Sequence, residues 1–198
     1  MEDSLKTFLF LGDDTPQNRP FPTDLKARLS QRLQMDDIHE ITYWTQNNEQ
    51  GKEELYQLLF EEDQRIANNA LWAMTYFSWN ENQWLHQKQD ELIDEVLISK
   101  DTTRTRLLLS LLHRQPPANP PRVDFLDFCL SKCNTLNAPP GTISLCLKLA
   151  YEMCNTIPEL LQEFTAILDY MDAIDLPPSI RAARKNIYKA IKKGNKSV

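Results

Sequence analysis

Few residues of this sequence have the types and the spacing that metal binding requires. The three histidines, His39, His86 and His113, lie on separate predicted helices, so no two of them share a helix face as ligands. Asp36, His39 and Glu40 could converge on one face, but the dipole of a helix also favours acidic residues near its N-terminus. We therefore predict that these residues stabilise a helix start and bind no metal.

The cysteines form an incomplete metal set as well. Cys129 and Cys133 are one helical turn apart, but zinc needs two further ligands, and no Cys-x-x-Cys motif or nearby histidine supplies them. Cys129, Cys146 and Cys154 lie inside apolar runs, where a free thiol packs like a small hydrophobic group. The sequence predicts core thiols, no metal and no cofactor.

No arrangement of nucleophiles, bases or phosphate-binding loops predicts an enzyme. The sequence contains neither Gly-x-Ser-x-Gly nor the Gly-x-x-x-x-Gly-Lys-Ser/Thr loop. The acidic run within residues 90–95 could supply a general acid or base, but at helical spacing it forms the solvated face of a helix. We predict a protein without catalytic residues, and a small-molecule enzyme with no recognisable motif remains the lesser alternative.

The composition is that of a globular helical protein. Of the 198 residues, 41% are hydrophobic and 25% are charged, and only 4 are glycine. So few glycines disfavour tight hairpins and Gly-rich phosphate loops. No run approaches the ~20 apolar residues of a membrane helix, and the chain does not begin with a secretory signal pattern. We therefore expect a cytoplasmic protein, with a monomer as the default state.

Charge is distributed unevenly along the chain. The net charge is −6, yet no acidic residue follows Asp175, whereas seven lysines and arginines do. An acidic body repels nucleic acid and anionic membranes, which confines any polyanion site to the C-terminal helix. The polar face of this helix, formed by Arg184, Lys185, Lys189 and Lys192, could dock an acidic protein partner, or it could be the solvated side of a capping helix.

Apolar residues recur at helical spacing in nearly every segment after residue 23, so we predict an all-α protein. From residue 62, predicted helix starts recur at intervals of about 37–39 residues, which is close to the period of helical repeats. One series of starts falls near Asp63, Thr102, Pro140 and Pro178, and a second falls near Asn82, Pro121 and Pro158. Proline suits these places because its missing N–H would have no intrahelical partner in the first turn.

This periodicity predicts a single domain over residues 1–198. Its predicted parts are an irregular lead-in at 1–22, N-terminal helices at 23–61, three helix pairs at 62–176, a capping helix at 177–193 and a tail at 194–198. The runs Leu107–Leu112 and Ile143–Cys154 are apolar around most of a helix, which indicates burial between neighbouring helix pairs. The residues that we expect to be nearly fully buried are Leu108, Leu111, Leu145, Leu149 and Met153.

The capping helix carries a pattern that resembles the HEAT repeat. Ile180-Arg181-Ala182-Ala183, followed by Ile187, is similar to the HEAT step of an aliphatic residue, Arg, any residue and Ala at a helix start. Arg65 and Thr103-Arg104 occupy the same phase in earlier units. The resemblance covers roughly residues 62–193. It implies a HEAT-like or armadillo-like α-α superhelix, a short solenoid of stacked antiparallel helix pairs that binds proteins or nucleic acids.

Aromatic residues cluster between positions 72 and 84, where three of the four tryptophans occur. Trp79 and Trp84 flank the polar segment Asn80–Gln83, which we interpret as a turn, and they could line the edge of a groove. They could equally fill the joint between the N-terminal helices and the repeats. Phe77 continues an apolar stripe and is predicted to belong to the core.

These observations favour a scaffold that holds a protein partner in its groove or on its basic C-terminal helix. The alternative that the resemblance suggests is a nucleic-acid-binding HEAT-like protein of the alkylpurine DNA glycosylase type. Such a protein needs a basic concave face across several repeats. Only four mid-chain arginines could extend the basic end, namely Arg104, Arg106, Arg114 and Arg122.

Overall fold

A computed structural model describes residues 24–118, 120–155, 157–171 and 175–194. Within these ranges the chain is all-α, as predicted, with no strand. The eleven helices are α1 (Leu25–Leu29), α2 (Met35–Gln46), α3 (Glu49–Leu58), α4 (Gln64–Met74), α5 (Trp79–His86), α6 (Gln89–Ile98), α7 (Thr102–Leu112), α8 (Val123–Thr135), α9 (Pro140–Cys154), α10 (Pro158–Tyr170) and α11 (Pro178–Gly194). The predicted lead-in at 1–22 and all of the predicted tail except Gly194 lie outside the described residues.

The chain divides into two compact units, residues 1–76 and 77–198. In the first unit, α4 packs against α1, α2 and α3. The hydroxyl oxygen of Thr42 on α2 lies 2.7 Å from the carbonyl oxygen of Ile38 and 2.9 Å from that of Ala73. Its single proton is shared between these two acceptors, so it joins α2 to α4 by a buried polar contact. The cap of α1 is Asp24, whose carboxylate accepts the N–H of Ala27. The chain therefore starts this helix one residue later than a cap at Thr23 would.

The second unit is built from two layers of helices. One layer is α7, α9 and α11, which contact each other in that order, and the other is α6, α8 and α10, which do the same. The layers meet where α6 packs on α7 and where α9 packs on α8 and α10. Helix α9 is therefore covered by four neighbours, which explains why the run Ile143–Cys154 is apolar around most of its circumference.

The predicted helix starts of the first series are confirmed. Asp63 caps α4, and the next helices of that series begin at Thr102, Pro140 and Pro178. The predicted start at Asn82 is wrong, because Asn82 lies inside α5 and its side-chain amide donates to the carbonyls of Phe77 and Ser78. A break at Gln87 and Lys88 divides this segment into the two helices α5 and α6, whereas the sequence pattern predicts one.

The core agrees with the stacking expected from the repeats, with one exception. Leu108, Leu111, Leu149 and Met153 are buried as predicted, and so is Phe77. Leu145 is only partly buried. It lies on a partly buried stripe of α9 together with Ser144, Lys148, Tyr151 and Glu152, because those positions recur at the helical period on one side of the helix.

Candidate functional site

The two tryptophans singled out from the sequence occupy different environments on α5. Residues 80–83 form helix and not the predicted turn, because α5 begins at Trp79. The Trp79 side chain is 66% exposed, which is unusual for so large an apolar group. Trp84 is partly buried, and the ammonium group of Lys88 lies 5.2 Å from the centre of its ring. Trp79 is therefore the member of the pair that is available to a ligand.

Trp79 lines an open groove of about 620 Å³ in the second unit. We call this the Trp79 groove. Its walls come from α5, from the segment that follows α7, and from α9. The residues lining it are Trp79, Asn82, Gln83, His86, His113, Arg114, Gln115, Pro116, Pro117 and Glu152. No serine, threonine, cysteine or lysine is among these residues, so the groove offers contact surface and hydrogen-bonding groups and no hydroxyl, thiol or amine nucleophile.

Buried amides hold the segment after α7 in place. The Nε2 of Gln89 donates to the carbonyl of Pro116 at 2.8 Å and to the Oε1 of Gln115 at 3.3 Å. The guanidinium of Arg114 donates to the carbonyl of Phe77 at 2.5 Å, and burial lowers the pKa of this guanidinium. The Gln89 bonds tie the wall of the groove to the start of α6, and the Arg114 bond ties it to the segment just before α5. The wall is therefore preorganised, and a ligand would not have to order it.

Two histidines that are distant in sequence both line this groove. His86 comes from the end of α5 and His113 from the end of α7, and the Nδ1 of His113 lies 3.1 Å from a carboxylate oxygen of Glu152 on α9. The sequence interpretation treated each histidine as isolated and missed this convergence. Among the described residues, no three His, Cys, Asp or Glu side chains are grouped so that they could hold a metal ion.

The basic helix α11 divides into a packed residue and an exposed row. The Nε of Arg184 donates to the carbonyl of Leu168 at 2.7 Å, and its guanidinium lies 4.9 Å from the centre of the Tyr188 ring. The Tyr188 hydroxyl donates to the carboxylate of Asp169, and burial, followed by that contact, raises the tyrosine pKa. Arg184 thus helps to join α11 to α10. Lys185, Lys189 and Lys192 are exposed, and we call them the basic row.

Three of the four mid-chain arginines, Arg104, Arg114 and Arg122, are already engaged within the second unit. A guanidinium nitrogen of Arg104 lies 2.5 Å from a carboxylate oxygen of Glu95, with both side chains mostly buried. Arg122 contacts Asp124, Asp94 and Asp90, and the hydrogen bond to Asp124 is the largest cause of its raised pKa.

The acidic run at 90–95 is therefore more than a solvated face. Asp90 and Asp94 are exposed as predicted, but Glu95 is mostly buried beside Arg104. This pairing uses acidic residues of α6 to neutralise cations that a nucleic-acid site would need.

The four cysteines are free and buried in the two helices α8 and α9, which pack against each other. Burial raises the pKa of the Cys133 thiol well above its usual range, and it raises that of Cys154 to about 11. A neutral thiol in an apolar interface packs as a hydrophobic group and is a poor nucleophile. This agrees with the prediction that the cysteines belong to the core.

A comparison with known families gives a match that covers most of the chain. The family model described as the HEAT repeat domain matches residues 25–191. No curated protein and no solved structure matches the chain. None of the helices that the structure describes has the length and apolar character needed to cross a membrane. The match includes every element of the Trp79 groove and most of α11.

Proposed function

Because the chain belongs to the HEAT repeat family, whose members generally serve as scaffolds for protein interactions, we propose that it is a non-enzymatic module that binds a protein partner in the Trp79 groove. The proposal includes a cytoplasmic setting, where buried free thiols stay reduced.

The observation that carries this proposal is the exposed indole of Trp79 at the edge of a large preformed groove. An exposed tryptophan offers a large, rigid contact area, and tryptophan and arginine are the residue types most often found at the energetic centres of interfaces. Arg114 lies in the same groove, and Pro116 and Pro117 add apolar surface.

The groove therefore favours a partner segment with a large apolar side chain that packs on the indole and the two prolines. The polar groups of the lining would then contact the backbone or polar side chains of that segment. The basic row of Lys185, Lys189 and Lys192 supports a second contact with an acidic region of the same partner.

The test is a selection of binding peptides from a displayed random library, with the full-length protein as bait. We expect the selected peptides to carry an apolar or aromatic anchor and to lose at least about tenfold in affinity for Trp79→Ala, since buried hot-spot residues contribute about 2 kcal/mol or more. Tyr170→Ala is the matched control, because Tyr170 is also aromatic and 65% exposed but does not line the groove.

Peptides that bind both variants equally well would show that the Trp79 groove is not the binding site. The basic row is tested separately by reversing its three lysines to glutamate. A partner that uses this row should then bind more weakly, and its binding to the unmodified protein should weaken as salt is added.

A further inference from the structure

A second cavity lies where the chain turns from α6 into α7 and from α8 into α9. Its volume is about 120 Å³, compared with about 30 Å³ for one water in the liquid. Its lining is formed by Ser99, Lys100, Thr102, Thr105, Phe128, Lys132, Asn137, Ala138, Pro139 and Thr142. We call it the Thr142 cavity. Its size suits a small polyatomic ion.

The N-terminus of α9 opens at this cavity without a capping side chain. Its cap position is Pro139, which makes no side-chain hydrogen bond to the helix, and its first turn contains no acidic residue. The first backbone bond of the helix runs from the N–H of Ile143 to the carbonyl of Pro139. The N–H groups of Gly141 and Thr142 precede it and have no intrahelical acceptor, so the helix end presents two donors and a partial positive charge.

The hydroxyl of Thr142 gives an independent indication of a ligand. Thr142 is only 2% exposed, it lines the cavity, and its Oγ1 makes no hydrogen bond within the described residues. Thr105 and Thr165 bond to the carbonyl four residues earlier, which the helix supplies. Thr142 stands in the first turn, so no helical carbonyl lies four residues before it. A buried hydroxyl without a partner is costly unless a ligand provides one.

Two cations, Lys100 and Lys132, line the cavity, and the ammonium group of Lys132 lies 5.4 Å from the centre of the Phe128 ring. No ion pair of the described residues involves Lys100 or Lys132, whereas Arg104 and Arg122 in the same unit are paired with carboxylates. The acid at this end of α7 is Asp101, and its carboxylate accepts the N–H of Arg104 as a helix cap.

We propose that the Thr142 cavity binds a phosphate group, either as the free ion or as a monoester. The N-terminus of α9 and the Thr142 hydroxyl would donate to its oxygens, while Lys100 and Lys132 would balance its charge. Phosphate is favoured over a carboxylate because its oxygens can accept from a helix end, a hydroxyl and two ammonium groups at once.

The experiment is a titration of the full chain with inorganic phosphate and, separately, with O-phosphoserine at constant ionic strength. Acetate serves as the control anion. Binding is measured by calorimetry and by the ¹H–¹⁵N signals of Gly141 and Thr142, which should shift with either phosphate compound. The compound that binds with the higher affinity shows whether the site takes the free ion or a monoester. Either result supports the proposal.

The variants separate a built site from general attraction to a basic protein. The double variant Lys100→Gln and Lys132→Gln should weaken phosphate binding at least about tenfold. The matched double variant Lys185→Gln and Lys189→Gln removes the same charge from the same unit and should bind phosphate as the unmodified protein does.

Thr142→Val should also weaken phosphate binding, and without phosphate it should unfold at the same or higher urea concentration than the unmodified protein, because it removes a buried hydroxyl that has no partner. Absence of binding at about 10 mM phosphate, where even millimolar affinity would be detected, would overturn the proposal. So would equal weakening by both double variants.

Discussion

Arg184 offers a direct test of how α11 packs against α10. The sequence predicts Arg184 as a candidate for binding a partner, whereas the structure places its side chain in the contact between these two helices. The change is Arg184→Ala. It removes the hydrogen bond of 2.7 Å to the carbonyl of Leu168 and the cation–π contact with the Tyr188 ring. Leu168 lies among the last four residues of α10, whose carbonyls have no partner within their own helix, so Arg184 acts as a side-chain cap.

The magnitude follows from these two contacts. A hydrogen bond from a charged donor contributes about 1.5–3 kcal/mol, and a partly exposed cation–π contact adds about 0.5–1 kcal/mol. Because Arg184 is only partly buried, water replaces some of what is lost. We therefore expect Arg184→Ala to lower the free energy of unfolding by about 1–3 kcal/mol. Lys185→Ala, one residue away and exposed, should change it by no more than about 0.5 kcal/mol.

The assay is urea unfolding followed by far-ultraviolet circular dichroism, with all variants measured at the same pH and salt. A lower midpoint at an unchanged slope reports a loss of stability and not a change in the unfolded state. Arg184→Lys keeps the charge but loses the planar donor group, so it should fall between the two alanine variants. If Arg184→Ala and Lys185→Ala shift the midpoint equally, Arg184 does not cap α10 and the packed description of this residue is wrong.

Three further predictions concern residues of the second unit. Leu111→Ala should lower the free energy of unfolding by about 2–5 kcal/mol because the side chain is fully buried. Leu145→Ala should lower it by less than about 1 kcal/mol because that side chain is only partly buried. Equal shifts in the urea midpoint would contradict the placement of Leu145 outside the core. Arg104→Ala should lower the free energy of unfolding by about 1–3 kcal/mol, because it leaves Glu95 mostly buried without its partner. Calorimetric unfolding of this variant, compared with that of Glu95→Gln, measures the loss. The pKa of Cys154 is raised to about 11 by burial, so above about pH 9 the unfolded chain loses its thiol protons before the folded chain does. The free energy of unfolding should then fall as pH rises from about 9 to 11, and a stability that stays level in urea titrations over that range would contradict it.

The sequence predicts the fold well because its strongest signals are local. Pro140, Pro158 and Pro178 sit where a helix must begin, and each does begin one. The prediction fails at Asn82, because polar residues around it resemble a turn while its side chain instead satisfies the carbonyls at the start of α5. A side-chain amide that bonds to its own helix end leaves no periodic signal.

The candidate sites are harder to predict, since their residues come from separate elements. Trp79 could be named from the sequence because of its residue type, but its neighbour His113 lies 34 positions later in the chain. Arg184 and Lys185 are adjacent residues with the same charge. Only the packing of α11 shows that Arg184 caps α10 while Lys185 belongs to the exposed basic row. The Thr142 cavity has no sequence motif, because its donors are backbone groups and one hydroxyl.

The thiols buried between α8 and α9 have a consequence for the lifetime of the protein. Oxidants react with thiolates, which the closed interface suppresses, so oxidation should proceed almost entirely through moments when α8 and α9 separate. A cysteine oxidised to sulfinic acid carries a charge that the apolar interface cannot readmit. An opening in which a thiol is oxidised in this way is irreversible and removes that molecule from the folded population. The fraction of time that this pair of helices spends open, more than the stability of the chain against complete unfolding, would set how long the protein survives oxidative stress.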